Sequence, residues 1–230
     1  VPYFGRSRSA FCKFAGRFKR FSLLFAIILS KMYNSNADFD YALKEAQKKG
    51  FVEANSKNDV EGIDAAHKLT LLSVVCFGIK FNFNYVTYKG ILNFNNQDIK
   101  FAKQLGYKIK LLGSTEIKNN KISSVVEPTL VRKSSKLANV DGVLNGIKIE
   151  TDNLSSLFIE GEGAGGKATT SSIISDLMEI AKGSNISSLG YDTKQLKKIE
   201  IMNYDERVCS YYIRIIVKDI PGVLAKITSN

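Results

Sequence analysis

The chain predicts an α+β fold, a mixed β-sheet with helices packed on one face. Three observations lead there: helix-period apolar spacing that stops at glycines, β-like runs gathered in the middle of the chain, and a composition that can support a core. At 230 residues, 44% hydrophobic and 24% charged, the chain is long enough for one large or two small domains. Seventeen Gly and three Pro leave little room for low-complexity linkers.

The elements follow in order. Asp38 precedes Phe39, Ala42, Leu43 and Ala46 at i, i+3, i+4, i+7 spacing, and the pattern stops at Gly50, which predicts a short amphipathic helix with Asp38 as its N-cap. Glu61 to Phe77 predicts a second helix, almost wholly apolar from Leu69 onward, so its C-terminal half is expected to be buried and its first turns to face something polar. Asp98 to Leu105 predicts a third, ended by Gly106, after which Tyr107, Ile109 and Leu111 alternate with Lys108 and Lys110 as a half-buried strand. Helix followed by strand suits either α+β or α/β. Three more β-like runs, Ser124 to Val131, Gly142 to Glu150 and Leu157 to Glu160, make a mixed sheet, with turns at Asp141-Gly142 and Asp152-Asn153. A helix over Ala168 to Ala181 carries an apolar stripe of Ile173, Ile174, Leu177, Met178 and Ile180. A Ser/Gly-rich linker starts at Gly183, Tyr211 to Val217 alternates as a strand, and Val223 to Ile227 starts a last helix.

Several function classes are excluded early. No run approaches the roughly 18 consecutive apolar residues of a spanning helix, so no membrane partner is expected. Cys12, Cys76 and Cys209 are odd in number, far apart and without a C-x-x-C pair, which supports neither a disulfide framework nor zinc and fits a reducing, cytoplasmic compartment. A single histidine, His67, leaves no two-His metal site; no metal is expected. Three residues after Asp64 on one helix, it reads as a hydrogen-bonded structural histidine.

The net charge of +11 is lopsided. Residues 1 to 24 hold Arg6, Arg8, Lys13, Arg17, Lys19 and Arg20 against no acid, so the body is only mildly basic. The basic start followed by Phe21 to Leu29 allows three readings: a secretory signal, which lacks a small-x-small cleavage site; a nucleic-acid arm with Phe11, Phe14 and Phe18 as stacking groups; or a segment not native to the domain. The third is adopted for residues 1–27, and no nucleic-acid partner is expected.

Two constellations could carry chemistry. Asp64 and Lys68 stand four apart on one helix face, which for an ordinary helix is a surface ion pair. Here Glu53, Asp59 and Glu61 lie just upstream, where a core helix begins, and a lysine in such a setting can donate a proton. The run Gly161 to Gly166 matches G-x-G-x-x-G, but the helix after it gives way to a Ser-rich stretch rather than to a second parallel strand, so the dinucleotide fingerprint is rejected. The loop remains a place where backbone can approach a ligand closely.

Taken together, Ala42 to Ala54 (A-L-K-E-A-Q-K-K-G-F-V-E-A) and Asp59 to Leu69 (D-V-E-G-I-D-A-A-H-K-L) closely resemble the substrate domain of the homoserine dehydrogenase family. The resemblance continues through Ala102 to Gly113, Leu137 to Val143 and Gly163 to Thr169, covering residues 28 to about 182. Beyond a linker over 183–204, residues 205–230 look like the opening of an ACT regulatory domain, a truncated ferredoxin-like segment. The resemblance implies NAD(P)-dependent interconversion of L-homoserine and L-aspartate 4-semialdehyde in threonine and methionine biosynthesis. It implies Lys68 as proton donor, Asp64 positioning substrate and lysine, Glu53 and Asp59 binding the substrate, and Gly163 and Gly165 against the cofactor. It further implies a small amino-acid substrate and a homodimer through the β-sheet.

The chain departs from the family pattern in three places. The nucleotide-binding half, with most of the NAD(P) site, is expected to lie outside this chain, which alone is then expected to be inactive. The usual Asn-Gly-Thr loop before Ile28 is replaced by the Arg/Phe-rich segment, and Asn55-Ser56 stands where the family has Asp-Pro after Glu53. A non-catalytic module that dimerises and senses an amino acid is the alternative.

Overall fold

The computed structural model describes residues 18–229 apart from 26, 53, 54, 93, 153, 154, 164, 184–191 and 219, and residues 18–25 by their backbone alone. Its frame is a mixed sheet of seven strands: β1 (Phe18–Phe25), β2 (Val86–Tyr88), β3 (Tyr107–Lys118), β4 (Lys121–Arg132), β5 (Leu144–Thr151), β6 (Leu157–Glu162) and β7 (Glu200–Ile201). They lie in the order β2-β4-β3-β1-β5-β6, with β7 also on β4. Strands β2 and β7 run parallel to β4, and every other pair is antiparallel. The expected α+β class and mixed sheet hold.

Four helices cover one face: α1 (Ile27–Ser35), α2 (Phe39–Lys48), α4 (Ile63–Phe77) and α5 (Asn96–Gln104), with the short α3 (Lys57–Val60) leading into α4. Their buried residues Met32, Ala42, Leu69 and Ile99 meet Ile109 and Leu111 of β3, Val126 of β4 and Ile149 of β5 in the main core. The register puts those strand residues on one side, since Gly113 faces Val126 and side chains two apart share a face. On the opposite face a smaller core joins Leu112, Val131, Leu137, Ala138 and Val140 to Leu144 and Phe158. Helix α6 (Gly166–Ala181) buries no residue, so the stripe of Ile173, Leu177 and Ile180 faces outward.

Local chemistry accounts for the element ends. Helix α2 starts after Asp38, its N-cap, and is followed by Gly50 at φ 71°, as its sequence predicts, but the Asp38 carboxylate makes no cap bond and accepts the side-chain amide of Asn96 instead. Helix α4 runs between two left-handed glycines, Gly62 at φ 81° and Gly78 at φ 62°. Strands β3 and β4 each reach 12 residues, longer than their patterns suggest, because Asn119 and Asn120 both take positive φ (51° and 60°) and close a tight hairpin.

Three expectations change. The segment 1–27, set apart as foreign to the domain, contributes its residues 18–25 as β1, hydrogen-bonded to both β3 and β5, and α1 already starts at Ile27. The boundary at 28 therefore moves, and residues 1–17 lie outside the described residues. The polar side of β3 is not solvated: Lys110 is 1% exposed, covered by the turn at Val140 and Asp141. Tyr211 to Val217 forms no ladder among the described residues, because no strand edge meets it; Tyr211, Ile213 and Ile215 stay exposed. Arg207 on Glu127 and Arg214 on Asp98 hold this C-terminal segment against the sheet and α5. Helix α7 (Val223–Thr228) follows, close to its predicted span, while 184–191 of the proposed linker are not among the described residues.

Candidate active site

A cavity of about 180 Å³ opens where the start of α4, the start of α1 and the ends of β5 and β6 converge. Its polar lining is Asp59, Asp64, Lys68, Asn145 and Gly163, and its apolar lining includes Leu29, Val52, Ile91 and Leu111. Of the residues singled out in the sequence, Lys68, Asp64, Asp59 and Gly163 are brought together here. Glu53 lies outside the described residues, although Phe51 and Val52 just before it line the cavity. Gly165 stands at the N-cap of α6 and is not part of the lining.

Helical spacing places the central pair. Asp64 and Lys68 sit one turn apart on α4, and Lys68 Nζ lies 2.6 Å from Asp64 Oδ2. Their side chains are 49% and 38% exposed, so the pair stands at the rim of the cavity and water limits its strength to about 1 kcal/mol or less. The pair is therefore better placed to orient the ammonium than to stabilise the fold. His67, one residue before Lys68, is exposed and stacks on Phe83 with ring centroids 4.4 Å apart, and it is not among the residues that line the cavity.

The Asp59 side of the cavity depends on two glycines. Gly62, left-handed, lets the chain turn from α3 into α4. Gly90 allows the strand end to lie directly on that turn: a Cβ there would stand 2.1 Å from the Val60 carbonyl oxygen and 2.5 Å from Glu61 Cα. The amide of Ile91 donates to that same carbonyl at 2.8 Å, which fixes the turn in register with the strand.

Asn145 was not singled out in the sequence. It occupies β5 among apolar neighbours, and a Cβ on Gly163 would fall 1.7 Å from its Nδ2, so the glycine makes room for the amide. The Gly163 amide donates to Val143 O at 3.0 Å and ties β6 to the start of β5. The signal that could have found Asn145 is a polar residue inside a β-like run, two residues before Ile147.

Cofactor contact is compatible with the backbone here. Gly165 takes φ 109° and ψ 151°, a conformation other residues rarely adopt, and nothing stands within 4 Å of where its Cβ would be. A flat ring or a phosphate could approach this loop, which opens α6. Among the described residues no group of His, Cys, Asp and Glu could hold a metal ion.

A larger groove of about 720 Å³ lies between the sheet and residues 207–214. Its charges answer one another: Arg207 donates to Glu127 at 3.1 Å, and Arg214 and Tyr212 both donate to Asp98, at 2.7 and 3.0 Å. The smaller cavity, with an ammonium and two carboxylates at its rim, is the better candidate for chemistry.

A sequence model of the homoserine dehydrogenase family matches residues 22–178. Homoserine dehydrogenase of Neisseria gonorrhoeae is 38% identical over 208 residues, which is 88% of this chain and 48% of that protein. The Helicobacter pylori homoserine dehydrogenase is 39% identical over 202 residues, again 88% and 48%. The chain thus spans about half the length of the curated relatives it matches. Among solved structures, a homoserine dehydrogenase from Thiobacillus denitrificans superposes with a TM-score of 0.82 at 32% identity, over 96% of this chain and 54% of that one. One from S. aureus, crystallised at pH 8.5, gives 0.68 at 37% identity over 75% and 44%.

Proposed function

Because the chain belongs to the homoserine dehydrogenase family, we propose that it is the substrate-binding part of an NAD(P)-dependent enzyme that interconverts L-homoserine and L-aspartate 4-semialdehyde, on the route to threonine and methionine. The observation that carries this reading is the shared cavity of Asp59, Asp64, Lys68 and Gly163.

The nicotinamide supplies the hydride when bound, and most of its site belongs to a nucleotide-binding half outside these 230 residues. Gly163 and Gly165 are the residues of this chain that would meet it. As hydride reaches the aldehyde carbon, the carbonyl π pair moves to oxygen and Lys68 Nζ gives that oxygen a proton, leaving a hydroxyl and a neutral amine. The half-exposed side chain of Lys68 can regain its proton from water. Asp64 aims the ammonium before the step; in the direction of homoserine oxidation, the neutral amine accepts the hydroxyl proton. Asp59 supplies anionic charge for the substrate's own ammonium group, and Glu53, which follows Val52 in the sequence, is assigned the same part by this reading. A hydrocarbon wall of Leu29, Ile91 and Leu111 lowers the local dielectric and strengthens these interactions.

A homodimer formed through the sheet and a cytoplasmic location belong to the same reading. So does an amino-acid-responsive ACT segment at 205–230. The exposed apolar stripe of α6 is the surface this reading assigns to the nucleotide-binding half.

The test joins this chain to a nucleotide-binding half and follows NAD(P) reduction. L-homoserine should be oxidised, and N-acetyl-L-homoserine, which lacks the ammonium, should be a far poorer substrate. Absence of turnover with homoserine, or equal turnover of the two, would overturn the reading.

A further inference from the structure

We propose that Lys110 is a positioning residue whose buried ammonium holds two walls of the cavity in place, the start of α1 and the turn that leads to Asn145. This rests on the proposed function only for the identity of the ligand; the geometry stands by itself. Lys110 lies on β3 and is 1% exposed. Its Nζ stands 2.6 Å from Asp141 Oδ1, 2.6 Å from the Val140 carbonyl oxygen and 3.3 Å from Ser30 Oγ. An ammonium has three donors, and each is directed to a different acceptor.

Those acceptors belong to the two walls. Ser30 follows Ile27, Ile28 and Leu29, which line the cavity. Asp141 precedes Asn145, which lines it too. The walls are also joined directly, since Ser30 Oγ donates to Asp141 Oδ1 at 2.9 Å, while Lys108 holds the other carboxylate oxygen at 2.9 Å. Leu111, the next residue of β3, lines the cavity from the other face of the strand. One strand position therefore sets the place of three parts of the lining.

Packing alone does not call for a charge here. A methionine would fill the same space without the desolvation that an ammonium suffers, and buried ion pairs are replaceable by hydrocarbon in many cores. What the ammonium adds is direction, three hydrogen bonds that specify where α1 and the Val140–Asp141 turn sit relative to β3. Desolvation pushes the Lys110 pKa down while Asp141 pulls it back up, and the hydrogen bonds from Lys110 and Lys108 keep Asp141 low against its own burial.

The test uses the full chain carrying Lys110→Met, with Lys110→Arg as the conservative variant, and reads amide hydrogen exchange without any ligand. Exchange should rise about tenfold or more at Met32, Leu144 and Gly163 while Leu69, Val74 and Val126 keep their protection, and arginine should restore part of the loss. Once the nucleotide-binding half is present, KM for homoserine should rise by a similar factor with kcat within about twofold. If Lys110→Met does not fold, Ser30→Ala and Asp141→Asn should give the same local pattern with smaller amplitude. Unchanged exchange at the two walls, or a uniform rise through α4 and the sheet, would overturn the proposal. Local opening in a protein that shows no homoserine turnover would keep Lys110 in this role and remove the proposed function instead.

Discussion

Replacing Gly90 with alanine tests how the Asp59 side of the cavity is held. The new methyl carbon would stand 2.1 Å from the Val60 carbonyl oxygen and 2.5 Å from Glu61 Cα. Ordinary contacts are more than 3 Å, so one backbone must retreat by about 1 Å or more, and no side-chain rotamer can relieve a clash between main chains. Overpacking of this kind costs about 1–3 kcal/mol. Retreat also breaks the 2.8 Å bond from the Ile91 amide to Val60 O, worth about 0.5–1.5 kcal/mol. The expected loss is about 2–4 kcal/mol, and at about 2–4 °C per kcal/mol for a chain of this size the melting temperature should fall by roughly 4–16 °C. Calorimetry measures it, and urea unfolding gives the free energy independently. A melting temperature within a degree of the parent would refute the argument, because it would mean that the turn and strand are not in contact as described.

Other expectations follow from single contacts. Glu45 is held at about 2 by hydrogen bonds from Lys31 and Lys49, so its favourable contribution should be complete above about pH 4.5 and fade as pH falls toward 2; an NMR titration of its carboxyl carbon with a midpoint near 4.5 would contradict this. Arg214→Ala removes both guanidinium bonds to Asp98, and limited proteolysis should then cut residues 207–218 faster while α4 remains resistant. Equal cleavage rates would show that this ion pair does not hold the segment. Asn145→Ala should raise KM for homoserine by about tenfold with little change in melting temperature, as expected if its amide serves the cavity rather than the core.

Much of the fold is legible in residue spacing, and the failures have physical causes. The i, i+3, i+4, i+7 pattern from Phe39 and the glycine after it give α2, and the apolar run from Leu69 gives the buried half of α4. β1 escapes notice because its Arg- and Phe-rich surroundings set the segment apart as foreign to the domain, while only pairing to β3 and β5, each more than 80 residues away, makes it a strand. Lys110 looks like the solvent side of an alternating strand, and nothing local reveals that Asp141 comes over it from 31 residues downstream. The opposite failure occurs at Tyr211 to Val217, where an ideal alternation finds no edge to join. In the site, Asp64 and Lys68 are readable because a helix fixes their separation. Asn145 and Gly90 are not, because their roles exist only where two distant backbones meet.

The most direct measurement of the central claim is the separation of kcat from homoserine affinity in Lys68→Ala, made in the protein that includes the nucleotide-binding half. Loss of a general acid–base group from the cavity should lower kcat by about 10²- to 10⁴-fold and leave homoserine affinity within a few-fold, since Asp59 and Asp64 remain. Turnover equal to the parent's would contradict the account, because the ammonium at the rim of the cavity would then have no part in moving the proton.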